Sequence, residues 1–312
     1  MNNIAVVIPC YKVADTIEDV ISQIPQEINH IIVVDDGCPD FSGRYAEQSL
    51  DKRVIVLRHT DNLGVGGATI TGYKKAVELD CDIIVKIDGD GQMDADYITE
   101  LVEPIIQNKA DYTKGNRFFD YNILLAMPLI RLIGNSILTF IMKLVSGYWD
   151  IKDPTNGFTA IHKKILKKLN LNKIDRSYFF ESDMLINLNI INAVVHDVDI
   201  PSRYGHEKSS LNILSTIIVF PFKHFRGLLR RVLIKYYITD INIGSAYLLF
   251  GALSFLFGVL FGLRHWIFSR EYGVFSSAGT VMLSALPVFI GVILLIQAIT
   301  VDIKSVPTKK DK

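Results

Sequence analysis

An α/β domain with a mainly parallel sheet, carried on a C-terminal membrane anchor, is the fold class this sequence predicts. Three observations carry it. Short apolar runs alternate with helical segments over residues 1 to about 115, acidic or glycine-rich stretches recur where those runs stop, and two long uncharged segments close the chain. Composition agrees: the 312 residues are 49% hydrophobic with a mean hydropathy of +0.28, so part of the chain faces lipid. The formal net charge is zero and no basic-aromatic signature is present, which argues against a nucleic-acid partner.

The elements follow in order. "MNNIAVVIPCY" has no basic flank and its apolar stretch stops at Pro9, so it reads as a first strand and not as a signal peptide, and the leading domain is expected to stay in the cytoplasm. "HIIVV", "VIVLR" and "DIIVKI" repeat that near-continuous apolar character, as strands covered on both faces do. Between them "DTIEDVISQI", "FSGRYAEQSL" and "GGATITGYKKAVELD" have helical spacing. Ligands in such sheets bind at the carboxyl ends of the strands, and "PCY", "DDG", "DNLGVGG" and "DGDGQ" all fall there. Cys10, Cys38 and Cys81 are odd in number and scattered, which indicates neither a disulfide framework nor a zinc site. No two histidines form a metal-binding cluster, and no internal repeat is visible.

Residues 122–148 are strongly apolar, but Pro128, Arg131, Asn135 and Lys143 interrupt them, so they are read as helices at the membrane interface or packed on the domain. Over 211–238, Phe222, Phe225, Leu229, Val232, Leu233 and Tyr236 share one helical face, with Lys223, Arg226, Arg230 and Lys235 elsewhere. This suits an anionic membrane surface. Two spans are expected at about 244–263 and 279–301. Basic residues before the first and in "KSVPTKKDK" after the second place both ends in the cytoplasm, with Arg264, His265 and Arg270 in the intervening "RHWIFSREYGVFSS" loop as a modest counter-signal. The expected organisation is a catalytic domain over 1–210, an interface segment over 211–240, the two spans within 241–303 and a cytoplasmic tail over 304–312.

"KIDGDGQMD" crowds carboxylates at a strand end. Carboxylates so placed repel unless a hard cation or hydrogen-bond donors neutralise them, and Mg²⁺ or Mn²⁺ favours one or two carboxylates plus the phosphates of a substrate. Asp88, Asp90 and Gln92 alternate so as to aim oxygens at one cation, and Gly89 and Gly91 let a bulky ligand approach the backbone. The plainer reading is an acidic turn in which Asp94 caps the helix "ADYITELVEPIIQ".

"VVIPCYKVADTI", "IIVVDDGCPD", "DNLGVGGATITGYKKA" and "KIDGDGQMD", in that order, resemble the GT-A domain of inverting family-two glycosyltransferases. "GNRF", "DPTNGFTAIHK", "FFESDM", "RYGHEKSS" and the two-span tail are similar to the branch that makes polyprenyl-phosphate sugars, including the dolichol-phosphate mannose synthases. The resemblance implies a nucleotide-sugar donor of the GDP-mannose or UDP-glucose type, Mg²⁺ or Mn²⁺ as cofactor, a polyprenyl-phosphate acceptor and a membrane location, with a homo-oligomer left open. It implies that Pro9, Tyr11 and Asp36 hold base and ribose, and that Asp88, Asp90 and Gln92 surround metal and diphosphate. Arg203 and Lys208 would close over the diphosphate, and Arg117, Arg131 and Ser136 would bind the acceptor phosphate.

Where the family commonly has Tyr-Asn-Glu, this chain has Tyr11-Lys12-Val13, which removes an expected ribose contact. Asp36 also suits a turn, and "LGVGG" reads as helix-start packing with no phosphate claim. Arg131 also suits snorkelling at the interface. Glu181 and Asp183 lie where hydroxyl-acceptor enzymes keep a general base. A phosphate monoester is largely dianionic above a second pKa near ~6 and needs no base, so these carboxylates are expected to position arginines or sugar hydroxyls, or to cap the helix "SDMLINLNII". A hydroxyl acceptor and a non-catalytic nucleotide-sugar scaffold are the alternatives. The Q-x-x-R-W of processive polysaccharide synthases surrounds neither Trp149 nor Trp266.

Overall fold

The computed structural model describes residues 2–119, 129–201 and 213–309, without the side chains of Arg131 and of 213–218. The chain divides into two compact units, Met1–Arg231 with Pro307–Lys312, and Val232–Val306.

The first unit is built on a seven-stranded sheet in the order β3-β2-β1-β4-β6-β5-β7. Its strands are β1 (Ile4–Cys10), β2 (His30–Asp35), β3 (Val54–Arg58), β4 (Ile83–Lys86), β5 (Tyr112–Asn116), β6 (Thr159–His162) and β7 (Val195–Asp199). All neighbours pair in parallel except β6, which runs antiparallel to β4 and β5. Residues that follow β1, β2, β4 and β5 therefore share one edge with the stretch preceding β6. Every residue of β1 is buried, because helices cover both faces. On one side α1 (Ile17–Ser22) and α4 (Ile98–Ile106) pack on Val6, Ile8 and Val85. On the other lies α3 (Val65–Glu78), whose Gly72 sits so close to Val7 that a Cβ would collide with it. Helix α2 (Ser42–Gln48) covers β3.

Helix α5 (Leu129–Ser146) corresponds to the apolar stretch read as interfacial. Met142 and Val145 are buried, while Leu129, Ile130, Ile133, Ile137 and Phe140 are more than half exposed. After β6 come the short α6 (Lys163–Leu166), then α7 (Phe180–Ile190), against which α5 packs. Helix α8 (Ile213–Leu233) buries His224 and Arg231 and leaves Phe222, Phe225, Leu229 and Leu233 exposed. The expected basic face needs correction. Lys223 binds Asp175 at 2.5 Å and Arg230 binds Asp183 at 2.5 Å, so two of its cations turn inward onto the first unit. Arg231, in neither set, donates from Nε to Val145 O at 2.9 Å and from Nη2 to Leu144 O at 3.0 Å, satisfying carbonyls at the end of α5.

In the second unit, a π-type segment over Ile234–Thr239 precedes α9 (Ile243–Tyr272) and α10 (Ala278–Lys304), both long and apolar enough to cross a membrane. The sequence reading put a fourteen-residue loop between them. Instead α9 continues to Tyr272 and stops at Gly273 in the left-handed region, φ 64°, leaving a short connection to Ser277. Glycines draw the helices together: Gly258 leaves no room for a Cβ against Ser284 and Val288, and Gly291 none against Phe255. Tyr236, expected on the lipid face, is buried and donates to Asp302 Oδ1 at 2.6 Å.

Replacing Arg231 by Met strands two carbonyls and should cost the first unit about 2–3 kcal/mol. A thermal unfolding midpoint equal to that of the wild type would show that water satisfies those groups without it.

Candidate active site

The edge of the sheet gathers four segments. Pro9 is buried within β1, opposite Val34, and Tyr11 just beyond it is 43% exposed. The turn after Tyr11 is tied to the β2–α2 loop, where Val13 N donates to Ser42 Oγ at 3.0 Å and Ala14 N to Asp40 Oδ2 at 3.1 Å. Asp40 is held below the usual carboxylate range, because hydrogen bonds from Cys38, Ser42 and Ala14 outweigh its burial. Thr16 Oγ1 donates to Gly89 O at 2.6 Å, which joins the same turn to the acidic loop after β4.

Asp36 is 2% exposed and fully engaged by its own chain. Its Oδ1 meets His59 Nδ1 at 2.6 Å and accepts from Leu63 N at 2.9 Å, while Oδ2 accepts from Gly64 N at 2.8 Å. It therefore shapes this edge by fixing the "DNLGVGG" loop. Gly64, at φ 85°, lies where a Cβ would sit 2.5 Å from Arg176 O, and Gly66 abuts Asp175 and Phe180, so "LGVGG" serves packing at the start of α3.

In the acidic loop, Asp88 is partly exposed and Asp90 Oδ1 accepts from Gln92 N at 3.1 Å. Asp94 accepts from Asp96 N at 3.2 Å and caps the turn Ala95–Tyr97, in keeping with the capping role read from the sequence. Behind them lies a residue the sequence reading passed over as part of an apolar strand. Lys86, 1% exposed, places Nζ 2.7 Å from Asp88 Oδ1, 3.2 Å from Glu181 Oε1 and 3.3 Å from Gly157 O. Burial acts to lower its pKa, but the Asp88 and Glu181 carboxylates overcome that and hold it above the ordinary lysine value. Gly157, in "DPTNGF", lets the chain pass close by here, since a Cβ would stand 2.7 Å from both Lys86 Nζ and Asp88 Oδ2 and would displace one of them.

A second buried lysine, Lys114 on β5, donates to Asn156 O, and burial pushes it down to about 8 against the pull of Glu181 and Asp153. Arg117 follows β5. Its Nε and Nη2 grip Asp153 at 2.6 and 3.0 Å, a two-pronged pairing with a buried carboxylate that fixes the guanidinium plane while 35% of the side chain stays exposed. Phe118 then lines a groove of about 350 Å³ with Asn135, Ser136, Phe140, Lys143 and Lys152. Ser136 donates to Leu132 O within α5 and borders that groove.

The two carboxylates of "FFESDM" part company. Glu181 joins Lys86, whereas Asp183 accepts from Arg230 Nη2 at 2.5 Å and from Asp175 N at 2.9 Å. Asp183 is thus held by α8 through Arg230. Arg203 and Lys208, with His206, lie outside the described residues, as does the side chain of Arg131. Among the described residues no three His, Cys, Asp or Glu side chains converge into a metal cage. Two carboxylates and an amide at an open strand end instead fit a hard cation that completes its shell with phosphate oxygens. The signal for the missed cations was in the sequence, a lysine inside each of two buried strands.

Asp197 on β7 lies beside this network. Burial raises it to about 6 despite a hydrogen bond from Lys152 N and the charge of Lys114. Because its folded value exceeds the unfolded 3.8, its contribution to stability is full below about pH 4 and is lost as pH rises through 6. Asp197→Asn should therefore gain on the wild type by ~1–3 kcal/mol between pH 4 and pH 7, read from unfolding midpoints across pH. A constant difference would mean that Asp197 is ionised throughout.

Comparison with known proteins places this geometry. The sequence model of the family described as glycosyl transferase family 2 matches residues 5–170. A UDP-N-acetylglucosamine–dolichyl-phosphate N-acetylglucosaminyltransferase of Methanococcus voltae is 32% identical over 241 residues, 72% of this chain and 94% of that protein. A dolichol-phosphate mannosyltransferase of Pyrococcus furiosus is 32% identical over 177 residues, 55% of this chain and 49% of that one. Glucosyl-3-phosphoglycerate synthase from Mycobacterium tuberculosis, solved with Mn²⁺, UDP and glucosyl-3-phosphoglycerate, superposes with a TM-score of 0.53 over 74% of this chain and 80% of its own, at 20% identity. That likeness is one of fold.

Proposed function

The chain belongs to glycosyl transferase family 2, and we propose that it transfers a hexosyl or N-acetylhexosaminyl group from a nucleotide sugar to a polyprenyl phosphate at a membrane. The observation that carries this reading is Arg117. A guanidinium oriented by buried Asp153, one residue before a groove on an interfacial helix, suits a phosphate presented from the bilayer. Arg131 and Ser136 on α5 would join it. The relatives named for dolichyl-phosphate transfer support the same acceptor class.

In the reaction an oxygen of the lipid phosphate attacks the anomeric carbon, the bond from that carbon to the nucleoside diphosphate breaks, and the configuration inverts. Asp88 and Asp90, with Gln92, would hold Mg²⁺ or Mn²⁺, which when bound neutralises charge on the leaving diphosphate. Arg203 and Lys208 would add donors to the diphosphate. Pro9 and Tyr11 would line the nucleoside side of the edge, and Asp36 would maintain it through the loop it pins. The attacking dianion carries its own charge, so no carboxylate has to take a proton. The partners of Glu181 and Asp183 support this, since each is bound by a cation of the chain and neither is arranged as a base. Helices α9 and α10 would anchor the enzyme with both ends in the cytoplasm. Lys309, beyond α10, binds Asp111 of the catalytic unit at 3.1 Å, which supports a shared side.

Asp90→Asn, or EDTA on the wild type, should abolish transfer with little loss of fold. Full activity in EDTA would exclude a required divalent cation. Arg117→Ala should raise the KM for polyprenyl phosphate by one to two powers of ten, from a lost charge-assisted contact of about 1.5–3 kcal/mol, and leave nucleotide-sugar binding nearly unchanged. Efficient use of the free prenol, with Asp183→Asn inactive and Arg117→Ala normal, would instead establish base-assisted transfer to a hydroxyl.

A further inference from the structure

Lys86 is a buried cation to which the reaction above gives no work. Its neighbours in β4, Ile83, Ile84 and Val85, are apolar and fully buried, and an apolar residue of similar volume would fill the position without the desolvation cost of a charge. What singles the position out is what the ammonium touches. One contact is a carboxylate assigned to the metal, one is the carboxylate of α7 that reaches this edge, and Gly157 passes so close that a Cβ there would push on Lys86 Nζ and Asp88 Oδ2.

We propose that Lys86 is the resident counter-ion of the catalytic edge: by neutralising one of the two charges on Asp88 and Glu181 it keeps the edge too weakly negative to hold a divalent cation by itself, so that cation and nucleotide diphosphate bind together. The proposal rests on the assignment of Asp88 and Asp90 to the metal. Its basis is geometric. An ammonium at 2.7 Å occupies one lone-pair side of Asp88 Oδ1 and opposes any second cation brought to the same carboxylate, while Glu181 on its other flank restores part of the lost attraction. The diphosphate then supplies the oxygens and the charge that the chain withholds. Metal without nucleotide is held only weakly.

The test is a titration of the purified full-length protein with Mn²⁺, free ion being followed by electron paramagnetic resonance, without nucleotide and then with UDP or GDP. Formal charge on the trio rises in magnitude in Lys86→Met, vanishes in Glu181→Gln and returns to the wild-type value in the double variant. Without nucleotide, Lys86→Met should bind Mn²⁺ about tenfold tighter than wild type or more, Glu181→Gln several-fold weaker, and the double variant within about threefold of wild type. With nucleotide the spread should narrow. Circular dichroism shows which variants fold, and the Glu181→Gln and double-variant arms retain the comparison if Lys86→Met does not. Equal Mn²⁺ affinities across the folded variants, with wild type binding Mn²⁺ and nucleotide normally, would overturn the counter-ion role and leave the metal assignment standing. Wild type that binds nucleotide yet takes up no Mn²⁺ under any condition would overturn both.

Discussion

An ammonium group taken out of water is costly to keep charged unless carboxylates touch it, and the contacts of Lys86 with Asp88 and Glu181 set the terms for much of what surrounds them. Because Glu181 must reach in from α7, the start of that helix has to approach the end of β4. The return into β6 passes close to Lys86 and Asp88 at Gly157, where a Cβ would displace their side-chain ends. One residue earlier, Asn156 uses its carbonyl for Lys114 and its amide for Gly115 O, and three residues before that Asp153 grips Arg117. The segment "DPTNGF" is thus the seam that holds the Lys86 and Arg117 sides of the edge in one register.

The same logic extends to helix α8. Helix α8 shows its aromatic and aliphatic residues to the outside and turns Lys223 and Arg230 onto Asp175 and Asp183, at the start of the helix that carries Glu181. Asp175 and Arg176 in turn abut Gly66 and Gly64, and Gly64 is fixed by Asp36. Helix α8, the start of α7 and the loop fixed by Asp36 are therefore linked through short contacts between buried or half-buried groups, whose charged pairs weaken less with salt than exposed pairs do.

Much of this was legible in the sequence. Strands β1 to β4 read as apolar runs, the carboxylates fall at their ends, and the two lipid-length helices stand where hydropathy puts them. The other half of the sheet was hidden because its strands are polar: Tyr112, Thr113, Lys114, Gly115 and Asn116 are all buried, yet only one of them is a typical core residue. Asp36 looked ligand-facing because its donors, His59, Leu63 and Gly64, lie more than twenty residues away in the chain. Glu181 and Asp183 looked like a pair, but two residues on a helix are roughly 200° apart and meet different partners. Long-range pairing of charges is what local pattern cannot carry.

In the proposed reaction sugar is joined to a lipid phosphate, and mass spectrometry of the lipid product formed from a panel of nucleotide sugars and polyprenyl phosphate tests this. The expected product keeps the phosphorus of the acceptor and gains one sugar residue, with the anomeric configuration opposite to that of the donor. A product in which the sugar is bonded to a hydroxyl, with the lipid phosphate unsubstituted or absent, would contradict it.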